Sequence, residues 1–498
     1  MTLSKQQIEY LSQKGLSLSQ VEKQIERITK GTKYLNLAYP AQLEKGIIRL
    51  TADEINSIET EYLNLILDKR ICKFVPASGA ATRMFKDLYM YLESSELTEF
   101  ISYFIENIEK FAFYQDLKAI LLENNYEIET LLLEGKYNII IDYLLTEKGL
   151  NYGNLPKGLL LFHKNKNEIN TPIAEHIKEA IAYAGKESKL IFTISETFKP
   201  LFDTEIQRLL KKYNIEDISY ELTYQKANTD TVAVDLDFNL VSISEAEVLL
   251  RPGGHGSLIE NLNEVDADII FIKNIDNVCS DNFFAETVKY KKVITGVLLD
   301  IRKRILEYIE KIENYDGKDE KLNTELEHFI SDKLNIFSTN LVDMNPIEKV
   351  KFYRSRLDRP IRVCGMVKNE GEPGGGPFAV VDGEGVISLQ IVESSQIDHQ
   401  DKHQEQIFLA SSHFNPVDIV CSVTNADGEK YDLQKFVDED AYFIAKKSFR
   451  GKDILALEHP GLWNGGMGNW NTIFVEVSSL TFNPVKTVND LLRKTHQV

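Results

Sequence analysis

The chain has 498 residues, 43% apolar and 27% charged, which is the composition of a globular protein and excludes general disorder. Its 57 basic and 76 acidic side chains leave a net charge of −19, so a nucleic-acid partner, which calls for a basic footprint, is not expected. Four cysteines with no CxxC pair give no zinc framework and suit a reduced interior. The opening "MTLSKQQIEYLSQKG" lacks the apolar stretch of a signal peptide, and no run approaches the ~18 apolar residues of a membrane span. A cytoplasmic protein without a membrane partner is the expectation.

Residues 1–70 read as a helical N-terminal extension. Ser19 and Glu22 have capping-box spacing, Val21, Ile25 and Ile28 follow with helical period, and Gly31 ends the pattern. Residues 71–498 read as one catalytic domain. It opens with "ICKFVPASGAATRMFKDLYMYLE", an apolar strand that breaks into small residues and restarts as a helix, and carries a helical insertion over residues 92–150. From residue 155 strands and helices alternate: "GLLLFH" as a strand or extended segment, "TPIAEHIKEAIAYAG" as a helix, "KLIFTIS" as a strand, "PLFDTEIQRLLKKY" as a helix, "SYELTYQ" as a strand. Residues 282–350 return to helices. This βαβ rhythm predicts an α/β fold, a mostly parallel mixed sheet with helices on both faces.

The turn in "VPASGAATRMFKDL" (residues 75–88) exposes backbone N–H groups beside the positive end of a helix, an arrangement that holds phosphate. Arg83 can add a bidentate contact to phosphate oxygens. The same turn is also a common packing solution, and it matches neither GxGxxG nor GxxxxGK[ST]. Lys157, between a proline and an apolar run, is either a solvated loop residue or a charge aimed into a cleft. Asp276 ends a strand in "FIKNIDNV", at the carboxyl edge where open α/β sheets bind ligands; one carboxylate there suits Mg²⁺ bridging phosphates.

Taken in order, these segments resemble the UDP-sugar pyrophosphorylase group of uridylyltransferases, within the nucleotide-diphospho-sugar transferase superfamily. The matching segments are the turn Ser78-Gly79-Ala80-Ala81-Thr82-Arg83-Met84, Pro156-Lys157, "TYQ" ending at Gln225, "PGGHGSLIENL", "FIKNIDNV", "LQIVESSQI" and "TFNPVKTVNDLL". The nearest kin are expected in an uncharacterised bacterial family known only as a domain of unknown function. The resemblance implies a GT-A/Rossmann-like nucleotidyltransferase core and transfer of a nucleotidyl group from a nucleoside triphosphate, UTP first, to a sugar 1-phosphate, with Mg²⁺ as cofactor. It assigns Arg83, Lys157, Asp276 and Lys486 to catalysis, with Asp276 on the metal. It assigns Ser78, Gly79, Ala80, Ala81, Thr82, Gln225, Gly254, His255 and Gly256 to the nucleotide, and Asn274, Asn277 and Glu393 to the sugar.

Ala80 and Ala81 stand where the family has glycine, and Ser394 where it has tyrosine. Those departures keep open a catalytically degenerate nucleotide-sugar binder. Asp235-Leu236-Asp237 keeps open a GT-A glycosyltransferase, although it reads equally well as a turn closed by Asn239. His399 and His403 in "DHQDKHQEQ" have the i,i+4 spacing of metal ligands on a helix but read as a solvated face, and Trp463 and Trp470 in "PGLWNGGMGNW" read as packing ahead of a platform for a sugar ring.

Overall fold

The run "ICKFVP" forms the strand Ile71–Pro76, buried as far as Val75, and its continuous apolar character reflects cover on both faces. The structure, a computed structural model, describes residues 3–79, 81–166, 168–185, 187–371 and 374–497. The chain divides into two units, one from Met1–Arg70, Gln225–Ile270 and Ile294–Glu476, the other from Ile71–Tyr224, Phe271–Val293 and Val477–Val498. The fold is mixed α/β.

In the second unit Ile71–Pro76 pairs in parallel with Lys189–Ile194, which pairs in parallel with Ser219–Tyr224. On the other side of Ile71–Pro76 lies the strand Ile269–Lys273, which enters this unit at Phe271. Ile269 N–H bonds to the Arg70 carbonyl at one end and Ile275 N–H to the Pro76 carbonyl at the other, so these strands also run the same way. The chain thus builds outward from Ile71–Pro76 and returns to its opposite side. The order reverses between Ile71–Pro76 and Ile269–Lys273, the position where open parallel sheets leave a ligand crevice at their carboxyl ends.

The helix Pro172–Tyr183 is fixed by Thr171, whose side chain accepts from Ala174 N–H, and by Pro172 in its first turn. With Lys199–Lys212 it buries Ile173, Ile177, Phe202 and Ile206 against Val75, Leu190 and Phe192. The small-residue turn restarts as the helix Lys86–Ser94, and four more helices follow, Glu99–Glu106, Tyr114–Glu123, Ile128–Leu133 and Tyr137–Leu145. Their core of Phe85, Phe104, Phe113 and Leu144 includes Val485, Val488 and Leu491 of the C-terminal segment. "GLLLFH" is less regular than a strand: a 3-10 turn over Lys157–Leu159, then a two-residue strand, His163–Lys164.

The first unit differs from the all-helical reading of residues 1–70. Helices Lys5–Gln13, Leu18–Lys30 and Ala52–Leu65 are there, but so are the strands Asn36–Pro40, Gln42–Leu43 and Gly46–Ile48. Asn36–Pro40 is a strand because Gly376–Val381, distant in sequence, supplies its partner, which local patterning cannot reveal. The capping box of Leu18–Lys30 is made by Ser17 and Gln20, two residues before the expected pair. The strands Asn471–Glu476 and Ile361–Lys368 pair in parallel, but two further sheets of this unit are antiparallel throughout. Their hairpins turn on Gly385 and Gly451, both at positive φ. Among the described residues no helix is long and apolar enough to cross a membrane.

Candidate active site

The carboxyl rim of the second unit brings four separate motifs together. After Ile71–Pro76 the turn leaves Ser78, Gly79, Thr82 and Arg83 exposed, while Ala81 is buried and its N–H bonds to the Leu155 carbonyl, 3.3 Å away. That bond ties the turn to the segment that carries Lys157. Lys157 Nζ donates to Asp276 Oδ2 at 2.7 Å and to the Val485 carbonyl at 2.6 Å. Val485 N–H in turn bonds to the Asp276 carbonyl at 3.3 Å, and Val488 N–H to the Met84 carbonyl at 3.0 Å. Turn, lysine, strand end and C-terminal segment are therefore fastened to one another by backbone as well as by charge.

Lys486 follows Val485 and is exposed; Asp490 Oδ2 accepts both its N–H, at 2.8 Å, and that of Thr487, at 2.7 Å. Among the described residues neither the Arg83 guanidinium nor the Lys486 ammonium has a hydrogen-bond or ion-pair partner. The rim thus carries two uncommitted cations beside one paired lysine, a local basic exception in a chain of net −19. Asn274 is half-buried, whereas Asn277 is buried and its Oδ1 accepts Asn483 N–H at 2.7 Å, so Asn277 fastens the C-terminal segment. Ala80 lies outside the described residues. Gly79 is not required by packing, since a Cβ there would meet nothing within 4 Å.

Asp276 offers one carboxylate, and among the described residues no group of three or more His, Cys, Asp or Glu side chains is placed to hold a metal. A Mg²⁺ ion that takes one carboxylate and completes its shell from phosphate oxygens and water fits that donor set.

Directly behind the rim is a sealed charge cluster that the sequence reading missed. Lys73 Nζ donates to Glu179 Oε2 at 2.9 Å and to the His176 carbonyl at 2.9 Å, and Lys273 Nζ donates to Glu179 Oε1 at 2.7 Å. Burial pushes the Lys73 ammonium down to about 8, against the pull of Glu179. Burial alone would raise the Glu179 carboxyl, but Lys273 and Lys73 outweigh it and hold it below the usual range. Burial, reinforced by Lys73, keeps His176 neutral, and its Nε2 contacts the Ile275 carbonyl at 3.3 Å, next to Asp276. A second buried relay anchors the C-terminal tail: Glu175 Oε1 to His163 Nδ1 at 3.0 Å, then His163 Nε2 to His496 Nδ1 at 2.8 Å. The signal for the first cluster was a lysine inside each of two apolar strands, "ICKFVP" and "IIFIK".

The remaining expected site residues belong to the first unit. Gln225 Nε2 donates to Asp230 Oδ1 at 3.4 Å. Gly254 has φ +79, and Gly256 is packed so closely that a Cβ would lie 2.2 Å from the Pro460 carbonyl oxygen. These glycines are accounted for by the chain's own backbone. His255 stacks on Trp463 with ring centroids 4.2 Å apart, its Nδ1 accepts Leu462 N–H at 3.1 Å, and burial pushes it down to about 4. Glu393 is half-buried, and burial raises its carboxyl above the usual range. Asp235 Oδ1 accepts from Asp237 N–H at 2.9 Å and Asn239 N–H at 2.8 Å, so this pair of aspartates closes a turn.

The chain belongs to the DUF4301 family, described as a domain of unknown function, which it matches over residues 4–497. A search of curated protein sequences gives no match. Among solved structures the chain is similar to UDP-sugar pyrophosphorylases. One is the uridine diphosphate N-acetylglucosamine pyrophosphorylase of Trypanosoma brucei in complex with an inhibitor, at 11% identity and TM-score 0.45, covering 95% of this chain and 74% of that one. Another is a variant UDP-glucose pyrophosphorylase of Leishmania major in complex with UDP-glucose, at 12% identity and TM-score 0.42, covering 99% and 79%. A third, described as a UDP-glucose phosphorylase of Trypanosoma brucei, stands at 13% identity and TM-score 0.43, covering 98% and 77%.

Proposed function

We propose that this DUF4301 chain is a nucleotidyltransferase that uses UTP and a sugar 1-phosphate. A phosphate oxygen of the sugar 1-phosphate attacks the α-phosphorus of UTP in line. The bond from that phosphorus to the oxygen bridging it to the β-phosphate breaks, and pyrophosphate leaves with the bonding electrons. On this reading the parallel strands of the second unit, with helices on both faces, are a GT-A/Rossmann-like core.

The observation that carries the reading is the position of Lys157. Its ammonium joins the Asp276 carboxylate and the Val485 carbonyl, so three motifs distant in sequence meet at one nitrogen. Both substrates are anions, and the protein's task is to hold them in line and offset their charge, without a nucleophilic side chain. Arg83 and Lys486, uncommitted on the same rim, take phosphate oxygens, the guanidinium in bidentate fashion. The exposed turn at Ser78, Gly79 and Thr82 offers backbone N–H groups to the triphosphate, and half-buried Asn274 bonds to sugar hydroxyls. With Lys157 turned to the phosphates, the Asp276 carboxylate would be free to hold Mg²⁺, which would supply charge neutralisation.

The test is pyrophosphate release by the purified full chain with Mg²⁺, UTP and a panel of sugar 1-phosphates. Sugar-dependent pyrophosphate, lost in Lys157→Ala and Asp276→Ala, is the expected result. Folded protein that releases none with any nucleoside triphosphate contradicts the proposal, and release of nucleoside diphosphate from a nucleotide-sugar replaces it with glycosyl transfer.

A further inference from the structure

Two parallel strands of the second unit each bury a lysine shortly before the rim, and one carboxylate holds both. Lys73 precedes Pro76, which leads into the turn at residues 78–83, and Lys273 precedes Asp276. Glu179 Oε2 accepts from Lys73 Nζ at 2.9 Å and Glu179 Oε1 from Lys273 Nζ at 2.7 Å. Glu179 stands on the helix Pro172–Tyr183. His176 stands on the same helix, and its carbonyl accepts a second bond from Lys73 Nζ at 2.9 Å.

His176 lies where this cluster meets the rim. Its ring is fully buried, edge-on to Phe192 with centroids 6.5 Å apart, and its Nε2 is 3.3 Å from the Ile275 carbonyl oxygen. A carbonyl only accepts, so Nε2 carries the proton and the neutral ring leaves Nδ1 bare. Among the described residues Nδ1 has no partner. An imidazole with one unpaired nitrogen, buried close to the charges of Lys73 and Lys273, is a poor way to fill space. Leucine would fill it with no polar atom to bury. What the imidazole adds is the N–H on Ile275. The Ile275 N–H is held by the Pro76 carbonyl, and the Asp276 carbonyl accepts Val485 N–H, so the backbone on either side of the Asp276 side chain is fixed.

We propose that His176 is a positioning residue for Asp276: anchored by the Glu179 cluster, its Nε2–H fixes the Ile275 carbonyl and so sets where the next residue presents its carboxylate. Groups that orient a ligating carboxylate matter nearly as much as the carboxylate, and losing one costs about 10–100-fold in metal affinity or activity. That this carboxylate meets Mg²⁺ and phosphates rests on the uridylyl-transfer reading, whereas its placement by His176 does not.

His176→Leu removes the donor, and His176→Gln returns one, since an amide N–H can reach the same carbonyl. Amide hydrogen exchange of the full chain without ligand reads the placement. In His176→Leu the Ile275 and Val485 amides are expected to exchange about 10-fold faster or more, while those of the helix Tyr114–Glu123 keep the wild-type rate. His176→Gln stays near the wild type. Pyrophosphate release reads the consequence: the Mg²⁺ concentration for half-maximal turnover rises about 10-fold or more in His176→Leu, and His176→Gln restores it. KM for UTP at saturating Mg²⁺ holds. A merely structural histidine lowers the active fraction and leaves the Mg²⁺ dependence as it was. The triple variant Lys73→Met/Glu179→Leu/Lys273→Met keeps the volume of the cluster without its charges and is expected to fold. It shows the same two shifts, and carries the test should His176→Leu not fold. Wild-type exchange at Ile275 and Val485, exchange raised alike across the unit, or an unchanged Mg²⁺ dependence in an active variant overturns this inference and leaves uridylyl transfer standing. Local exchange restored by His176→Gln, in a chain that releases no pyrophosphate, upholds the placement and removes uridylyl transfer.

Discussion

Within the second unit two clusters of lysine and carboxylate differ chiefly in access to water. Lys157 and Asp276 keep 14% and 20% of their side-chain surface exposed, while Lys73 and Glu179 keep 0% and 1%. The open pair has neighbours with uncommitted charge, Arg83 and Lys486, and can exchange its partner for a ligand. The sealed one cannot, because each charge is buried and paired, and separating them leaves an ion without water. The lesson is positional: the sealed cluster spans the strands Ile71–Pro76 and Ile269–Lys273 and the helix Pro172–Tyr183, and so sets the spacing of the rim that the open pair occupies.

The largest expected effect breaks the sealed cluster. Glu179→Gln leaves two buried lysines facing each other and is expected to cost about 3–5 kcal/mol of stability, read as a lower denaturant midpoint. Should the variant melt like the wild type, the sealed cluster is not what sets the rim. Lys157→Ala is the opposite case: Asp276 can be rehydrated, so stability changes by less than about 1 kcal/mol, while turnover falls ~10²-fold. A large stability loss there would show the open pair to be structural as well.

Acid sharpens the contrast between supports and charges. His255 is held at about 4 in the folded chain against 6.5 when free. The unfolded chain therefore binds the proton that the folded site refuses, and stability falls as pH drops from about 6.5 to about 4. His176 and His496, also depressed by burial, add to the same slope, so His255→Gln flattens the melting temperature against pH in that window by its own share. An unchanged slope means that His255 takes up its proton equally in the folded and the unfolded chain. The smallest effect is at Gly79: Gly79→Ala meets open space, so stability stays within about 0.5 kcal/mol while UTP binding weakens. Loss of stability would mean that the glycine serves the fold.

The alternation of strands and helices over residues 155–224 was legible because each element in the second unit carries its own period, and its parallel order follows from that alternation. The strand Asn36–Pro40 was not, since it exists by virtue of a partner more than three hundred residues away. The rim was legible as a set of ordered motifs, yet the pairing of Lys157 with Asp276 was not, because a motif gives residue types and not which charges neutralise each other before a ligand comes. His255 was assigned to the nucleotide by resemblance; its stacking on Trp463 and its bond from Leu462 N–H show only in three dimensions.

The central claim is that Arg83, Lys157 and Lys486 act together on one triphosphate. Calorimetric titration of UTP, with Mg²⁺, into the wild type and into Arg83→Ala, Lys157→Ala and Lys486→Ala tests it most directly. The account predicts that each substitution raises Kd about 10-fold or more, as expected for loss of a hydrogen bond to a charged group. Wild-type affinity in all three variants, or no UTP binding by the folded wild type, contradicts it.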